Sequence, residues 1–324
     1  MHGAPSLARL LPLLLLAALG LALPHFVPQY FLYLGNLVMM YAILAIGLDL
    51  LLGWAGQFAF AHIAFFGIGA YGTVLMQTRL GIPFILGMPL SAALAGALAL
   101  LIGLATTRLH IVYLALSTFA FAEFMQWLFN TWDAVTGGAD GMRIPPASVL
   151  GWAAGTDARA FPVIAIILAL VVAATLYLVT SRFGRSLGAI RESEHVASAS
   201  GINVRGTRIL AFAISGIYAG IAGGTFTLFQ SFVNPEQFGF NQIVLVLSMI
   251  VVGGLGSLPG VLIGVVLLGL MPEIMRTAMR SLLVWQEIVY GLILILSMMY
   301  MPRGIWGVIT ARRSRLRAPW SKPR

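Results

Sequence analysis

The sequence predicts an all-α polytopic membrane protein of about ten transmembrane helices, eight at the least. Glycine-rich segments are expected to break or re-enter, and two halves are expected to be related by inversion. Three observations carry this. Of 324 residues, 60% are hydrophobic and 9% charged, against about 25% charged in a typical soluble domain. Apolar runs near the roughly 20-residue length of a bilayer-spanning helix recur along the chain. Basic residues are clustered, twelve of the nineteen falling in 182–208 or from Arg303 onward, as expected of segments kept on the cytoplasmic side. That clustering accounts for the net charge of +9 and argues against nucleic acid as a partner, leaving membrane lipid as the surrounding surface.

In order, the first pass is read at 10–23, where Arg9 precedes "LLPLLLLAALGLAL". The same run resembles a signal peptide, but no clear small-x-small cleavage site precedes Pro24, so an uncleaved helix is expected. Passes follow at 30–52, 58–78, 84–106, 111–132, 161–180 and 209–230. The runs 242–256 and 258–275 are short and flank "GGLGSLPG" (253–260), which suits broken or re-entrant helices. A last pass is read at 284–301. The loop 182–208 and the tail then lie inside, together with the N-terminus, Arg108 and His110. The 133–160 loop lies outside, with Asp133, Asp140 and Asp157 against Arg143 and Arg159, as do Arg276 and Arg280. This gives a transmembrane domain over 1–307 and a basic cytoplasmic tail over 308–324. Five passes on either side of the 133–160 loop would invert the second half relative to the first.

Several chemistries are excluded by what the chain lacks. Without cysteine there is no disulfide, thiolate nucleophile or cysteine-bound metal. The sole lysine is Lys322, so neither a P-loop nor a membrane-buried Schiff-base lysine can form. No HExxH motif or histidine cluster points to an enzyme, and no TVGYG-like filter to a potassium-type channel.

Within the apolar bulk a few residues stand out. "LLGWAGQFAFAHIAFFGIGAY" (51–71) places Gln57 and His62 among closely spaced glycines, including Gly67. Glycine lets helices approach closely or lets backbone leave helical geometry, and broken backbone at membrane depth must be buried or line a cavity. A tightly packed central helix pair is expected here, with Gly253, Gly254, Gly256 and Gly260 as its counterpart. Gln57 and His62 either line a translocation path or hydrogen-bond to packed neighbours. Glu123, about ten residues into the pass beginning near Leu114, lies about 15 Å deep at 1.5 Å per residue. At that depth an ionisable group is expected to face the bundle interior, as a path-lining group or a tether. Asp49 is expected at the inner interface or capping a helix.

The inward loop "SRFGRSLGAIRESEHVASASGINVRGTR" suits one short helix over Ser186–Ser200, stopped by Gly201. Leu187, Ile190, Val196 and Ala197 would form its apolar patch, ringed by Arg185, Arg191, Glu192 and Glu194. Such a helix either docks on a partner protein or lies on the lipid surface.

The stretch "FGRSLGAIRESEHVASASGINVRGTRILAFAISGIYAGIAGG" resembles the cytoplasmic loop and following helix of permease subunits of branched-chain amino acid ABC importers. Four further segments resemble that family, in order: "AIGLDLLLGWAGQFAFAHIAFFGIGAY", "LALSTFAFAEFMQWLFNTWDAVTGGADGM", "VGGLGSLPGVLIG" and "YGLILILSMMYMPRGIWG". Together they cover most of 37–307, and the outer T-G-G loop is similar to the LivM-type branch. The resemblance implies that the loop acts like the EAA loop of ABC permeases, which docks on the ATPase. Laid on Glu-Ala-Ala-x-x-x-Gly, it reads His195-Val196-Ala197-x-x-x-Gly201, with Glu194 one position early. It further implies a homologous second permease, two ATPase subunits and a periplasmic or lipid-anchored binding protein. ATP would be bound by the partner subunits, with no cofactor in this chain, and branched-chain amino acids would move inward across the cell inner membrane. Urea, amides or other amino acids are the alternative solutes. An ion-coupled secondary transporter using Glu123, Asp49 or His62 is the alternative class.

Overall fold

A computed structural model of the chain describes residues 24, 27–106, 109–146, 148–149, 152–153, 155–273, 286–301 and 304–317. The expected first pass (10–23), Arg9, Arg108, Arg276, Arg280 and the end of the tail lie outside them. The described chain is a bundle of helices in which α1 (Gln29–Asp49) runs on into a single π-helical turn at Leu50–Trp54. An extended stretch leads to α2 (His62–Arg79), followed by α3 (Phe84–Thr106) and α4 (Ile111–Thr131). After the short α5 (Asp133–Thr136) comes an irregular segment with strands β1 (Met142–Arg143), β2 (Ser148–Val149) and β3 (Trp152–Ala153). Then come α6 (Asp157–Thr180), α7 (Arg182–Glu192), α8 (Glu194–Ala199) and α9 (Val204–Phe226). Strand β4 (Phe232–Val233) precedes α10 (Phe240–Gly253), α11 (Leu258–Gly269), α12 (Gln286–Tyr300) and α13 (Gly304–Arg317).

Five of the nine expected passes that fall among the described residues are long and apolar enough to cross a bilayer: Gln29–Trp54, Phe84–Thr106, Val112–Thr131, Asp157–Thr180 and Val204–Phe226. The others fall short for visible reasons. Helix α2 carries His62, Gln77 and Arg79 within 18 residues, and α10 and α11 have 14 and 12 residues. These last two pack against each other across the Gly254–Ser257 turn, as the broken or re-entrant reading expects. The tail read from 308 begins inside α13.

Small residues set the packing. In water, burial of apolar area draws helices together; in lipid, close van der Waals approach has to do that work. Helix α9 presents Gly216, Gly220 and Gly224 at four-residue spacing and packs on α3 and α2. A Cβ on Gly220 would stand 2.6 Å from Cα of Ala92 on α3, and one on Gly69 of α2 would stand 2.5 Å from Cα of Gly220. Backbones therefore touch where α2, α3 and α9 cross. On the lipid side α3 exposes Leu86, Leu90, Leu94, Leu101 and Leu104.

The 24 residues of α6 extend about 36 Å and separate two ends of the bundle. At one end β1 pairs antiparallel with β4, Met142 opposite Val233 and Arg143 opposite Phe232. Arg79 at the end of α2 donates to the carbonyl of Ala134 there. At the other end lie α7, α8, the π turn and the α10–α11 turn.

Candidate functional site

Two broken backbones and one surface loop meet at the α7 end. The carboxyl Oδ1 of Asp49, on the last turn of α1, accepts the Gly256 N–H at 2.8 Å. Asp49 is 3% exposed, its carboxyl enclosed by protein at the end of α1. Its one-residue offset into the π turn fits the habit of π-bulges to occur at functional positions. A Cβ on Gly53 would overlap both Asp49 Oδ1 and Gly256 N, so this meeting requires glycine. Gly256 itself has φ +74°, where an L side chain is strained. Of the glycines in 51–71 and in 253–260, Gly53 and Gly256 are the two that meet across this break, Gly53 against the Gly256 amide. Gly253 packs on Gly260 and Gly264, and α13 begins against Gly254 through Gly304.

The loop joins this contact through Arg191. Its guanidinium donates to the Gly53 carbonyl and acts electrostatically on Asp49. Arg191 also packs along Gly56 and Gly256. One side chain of the surface loop therefore bears on both breaks. The single helix expected over Ser186–Ser200 is two: Ser193 is extended (φ −161°, ψ 115°) and caps α8 by accepting the Val196 N–H. A serine whose hydroxyl satisfies a free helical amide favours starting a new helix over continuing the old one. Gly201 stops α8 with φ +80°, as expected. The apolar patch expected across this loop is divided. Leu187, Ile190 and Ala197 are buried within the chain, and Val196 is exposed. Arg185 donates to the Thr180 carbonyl at 3.0 Å, and Glu194 forms a two-point pair with Arg208 at 3.0 and 2.8 Å. Glu192, His195 and Val196 are exposed, as are Arg191, Glu194, Ser198, Ala199 and Ser200.

The extended stretch after Ala55 is at membrane depth, because it leads to His62, which reaches Leu44, well back along α1. Protein groups satisfy two of its amides. Gln57 N–H donates to the Leu51 carbonyl at 2.8 Å, and Phe60 N–H to the Thr118 hydroxyl of α4 at 3.2 Å. His62 is fully buried. Its Nε2 lies 2.9 Å from the Leu44 carbonyl and its Nδ1 2.9 Å from the Ser215 hydroxyl. A carbonyl only accepts, so Nε2 carries the proton and Nδ1 receives one from Ser215. Gly47 makes the room: a Cβ there would stand 2.9 Å from the His62 ring and from Cβ of Tyr218. Of the two roles open to His62, packing and tethering of α1, α2 and α9 is the one that its surroundings fit. Gln57 is 2% exposed, with Oε1 unpartnered. Gly67 lies under Phe129 and Phe238, within a nest of aromatic rings that includes Tyr71.

Glu123 departs from expectation. Helix α4 buries Leu114, Thr118, Ala122, Met125 and Phe129, one stripe at helical spacing. Position 123 is rotated off that stripe and is exposed, so it does not face the interior of this chain. It stands at the edge of a shallow cleft, too tight to admit a water, with Phe60, Phe119, Gln126 and Phe240. Glu123, Asp49 and His62 therefore lie in separate surroundings, with no hydrogen bond between any two of them. Sequence reasoning passed over Ser215, Thr118 and Gln126, which are ordinary residues in apolar runs until the neighbouring helix is known.

The family described as branched-chain amino acid transport system, permease component, matches residues 30–298. The high-affinity branched-chain amino acid transport system permease protein LivM of Escherichia coli K12 is 30% identical over 90% of this chain and 74% of its own length. Its Salmonella typhimurium counterpart is 29% identical over the same shares. The permease protein LivH of E. coli K12 is 28% identical over 82% of this chain and 91% of its own. No solved structure matches.

Proposed function

The chain belongs to the branched-chain amino acid transport permease family, and from that premise we propose that it is one membrane subunit of an importer powered by separate ATPase subunits. In this reading it pairs with a homologous second permease. Two ATPases sit on the α7–α8 side, and a periplasmic or lipid-anchored binding protein delivers a branched-chain amino acid to the β1–β4 side. The chain lies in the inner membrane with both termini and the α7–α8 loop in the cytoplasm. It carries no catalytic residue.

The observation that carries the reading is Arg191. A partner that displaces α7 and α8 moves its guanidinium, and with it the Gly53 carbonyl and the Gly256 turn. Movement at a surface loop thereby reaches two helix breaks at once, which is what a subunit driven from outside requires. Leu187, Ile190 and Ala197 seat the loop on its own chain, so that it moves as a unit. The docking face is Glu192, His195 and Val196.

The test is co-purification of the ATPase subunits with this chain. Val196→Glu puts a charge in the middle of the proposed contact while leaving the buried side of the loop intact. It should weaken ATPase capture by roughly 10- to 100-fold, the equivalent of burying one aliphatic side chain, with the chain still inserted. ATPase held as tightly by the variant as by the native chain would show the docking face to be elsewhere.

A further inference from the structure

Glu123 is an ionisable group that neither its own chain nor lipid can accommodate. It lies twelve residues, about 18 Å, along a helix of about 31 Å, well within the hydrocarbon depth. Leaving a carboxylate against acyl chains there costs about 2.5–3.5 kcal/mol even on insertion scales. It is not an isolated polar position. Gln126 and Asn130 follow at i+3 and i+7, so a polar stripe runs from Glu123 to the end of α4 that carries the β1–β4 pairing. On one side of that stripe Phe124 and Trp127 stack on each other and are exposed, a surface suited to lipid. On the other side is the cleft, walled by the rings of Phe60, Phe119 and Phe240, which meet in edge-to-face and tilted contacts of 5.5–6.3 Å. Among the described residues, the cleft is lined by one acid and no base.

An acid beside aromatic rings matches one chemistry well. A protonated amine pairs with the carboxylate and is also attracted to the ring faces, while an apolar side chain packs on the same rings. We propose that Glu123 is a specificity-determining residue of the translocation path: it receives the ammonium group of a zwitterionic amino acid, whose apolar side chain lies on Phe60, Phe119 and Phe240. The solute's own carboxylate finds its partner outside this cleft. The proposal rests on the permease reading above and adds to it the point of contact. It also gives the path a preference for amino acids through a single charge pair on the exposed face of α4.

The complete transporter in proteoliposomes tests this, with permease pair, ATPases and binding protein present and radiolabelled leucine as solute. If the native complex shows no ATP-dependent uptake, the permease reading itself fails, whatever Glu123 does. If it does, Glu123→Gln should lower the uptake rate by about 10- to 100-fold, the loss of one charge-assisted hydrogen bond. Glu123→Asp should recover part of it, with ATPase subunits still co-purifying from both. Uptake at the native rate in Glu123→Gln overturns the proposal. A second readout separates contact from structural support, and the absence of cysteine from the chain makes it clean. Gln126→Cys should react faster with a cationic than with an anionic methanethiosulfonate. The preference should disappear when Glu123→Gln is added, and leucine-loaded binding protein with ATP should slow the reaction. No reaction with either reagent would mean that a partner helix covers the stripe and that Glu123 serves that interface.

Discussion

His62 and Glu123 show how little a residue's type says until its surroundings are known. Both are polar residues in apolar passes. One is sealed among α1, α2 and α9 with both ring nitrogens engaged, and the other is turned outward into a cleft. For His62 the consequence is stability. Replacing it by Phe keeps much of the volume but removes the second donor to the helical Leu44 carbonyl and leaves the Ser215 hydroxyl without its acceptor, a buried loss of about 1–3 kcal/mol. His62→Phe should therefore lower the unfolding midpoint in detergent markedly. Ser215→Ala, which removes only the smaller partner, should lower it less. Equal stability of the native and His62→Phe chains would show that the tether contributes nothing.

At the scale of elements, the glycines divide by what stands opposite them, which the sequence does not display. Gly220 faces backbone on two neighbours, whereas Gly188, in the middle of α7, has nothing within 4 Å of where a Cβ would be. Gly220→Leu must push α9 away from α2 and α3, and overpacking of this kind costs at least about 1–3 kcal/mol. Extracted protein should be aggregated or much less stable by size-exclusion chromatography and thermal unfolding. Gly188→Ala should be neutral or stabilising by about 0.5–1 kcal/mol, because a helical glycine has entropy to lose and no contact to keep. If both variants behave alike, close backbone approach is not what holds the bundle. The passes themselves were legible, since 84–106 and 111–132 can be read from apolar length with little else. The break at Ser193 was not, because an N-cap competes with helix continuation on nearly equal terms, and tertiary seating of Leu187, Ile190 and Ala197 decides it. Glu123's outward turn was also hidden. One residue is 100° of helix, so its face depends on which stripe of α4 the neighbours choose to bury.

At the scale of the whole molecule, the question is where the energy for transport enters. Length and composition made the membrane class plain, and the missing P-loop lysine excluded one source within the chain. What the sequence withheld is the path along which an external source could act: Arg191 to Gly53, Asp49 to Gly256, residues up to 207 positions apart that only the fold brings into bonding distance. The arrangement differs from what an ion-coupled carrier needs. A carrier requires titratable groups that exchange a proton or cation between one another or with a shared site. Here Asp49 holds a turn, His62 holds three helices, and Glu123 stands apart in its cleft. The purified chain reconstituted alone should therefore accumulate no leucine under an imposed proton gradient of either sign. Adding the second permease, the ATPases, ATP and the binding protein should restore uptake that persists when an uncoupler collapses the gradient. Accumulation by the lone chain, abolished by uncoupler, would place the energy source inside this polypeptide and reverse the roles given to Arg191 and Glu123.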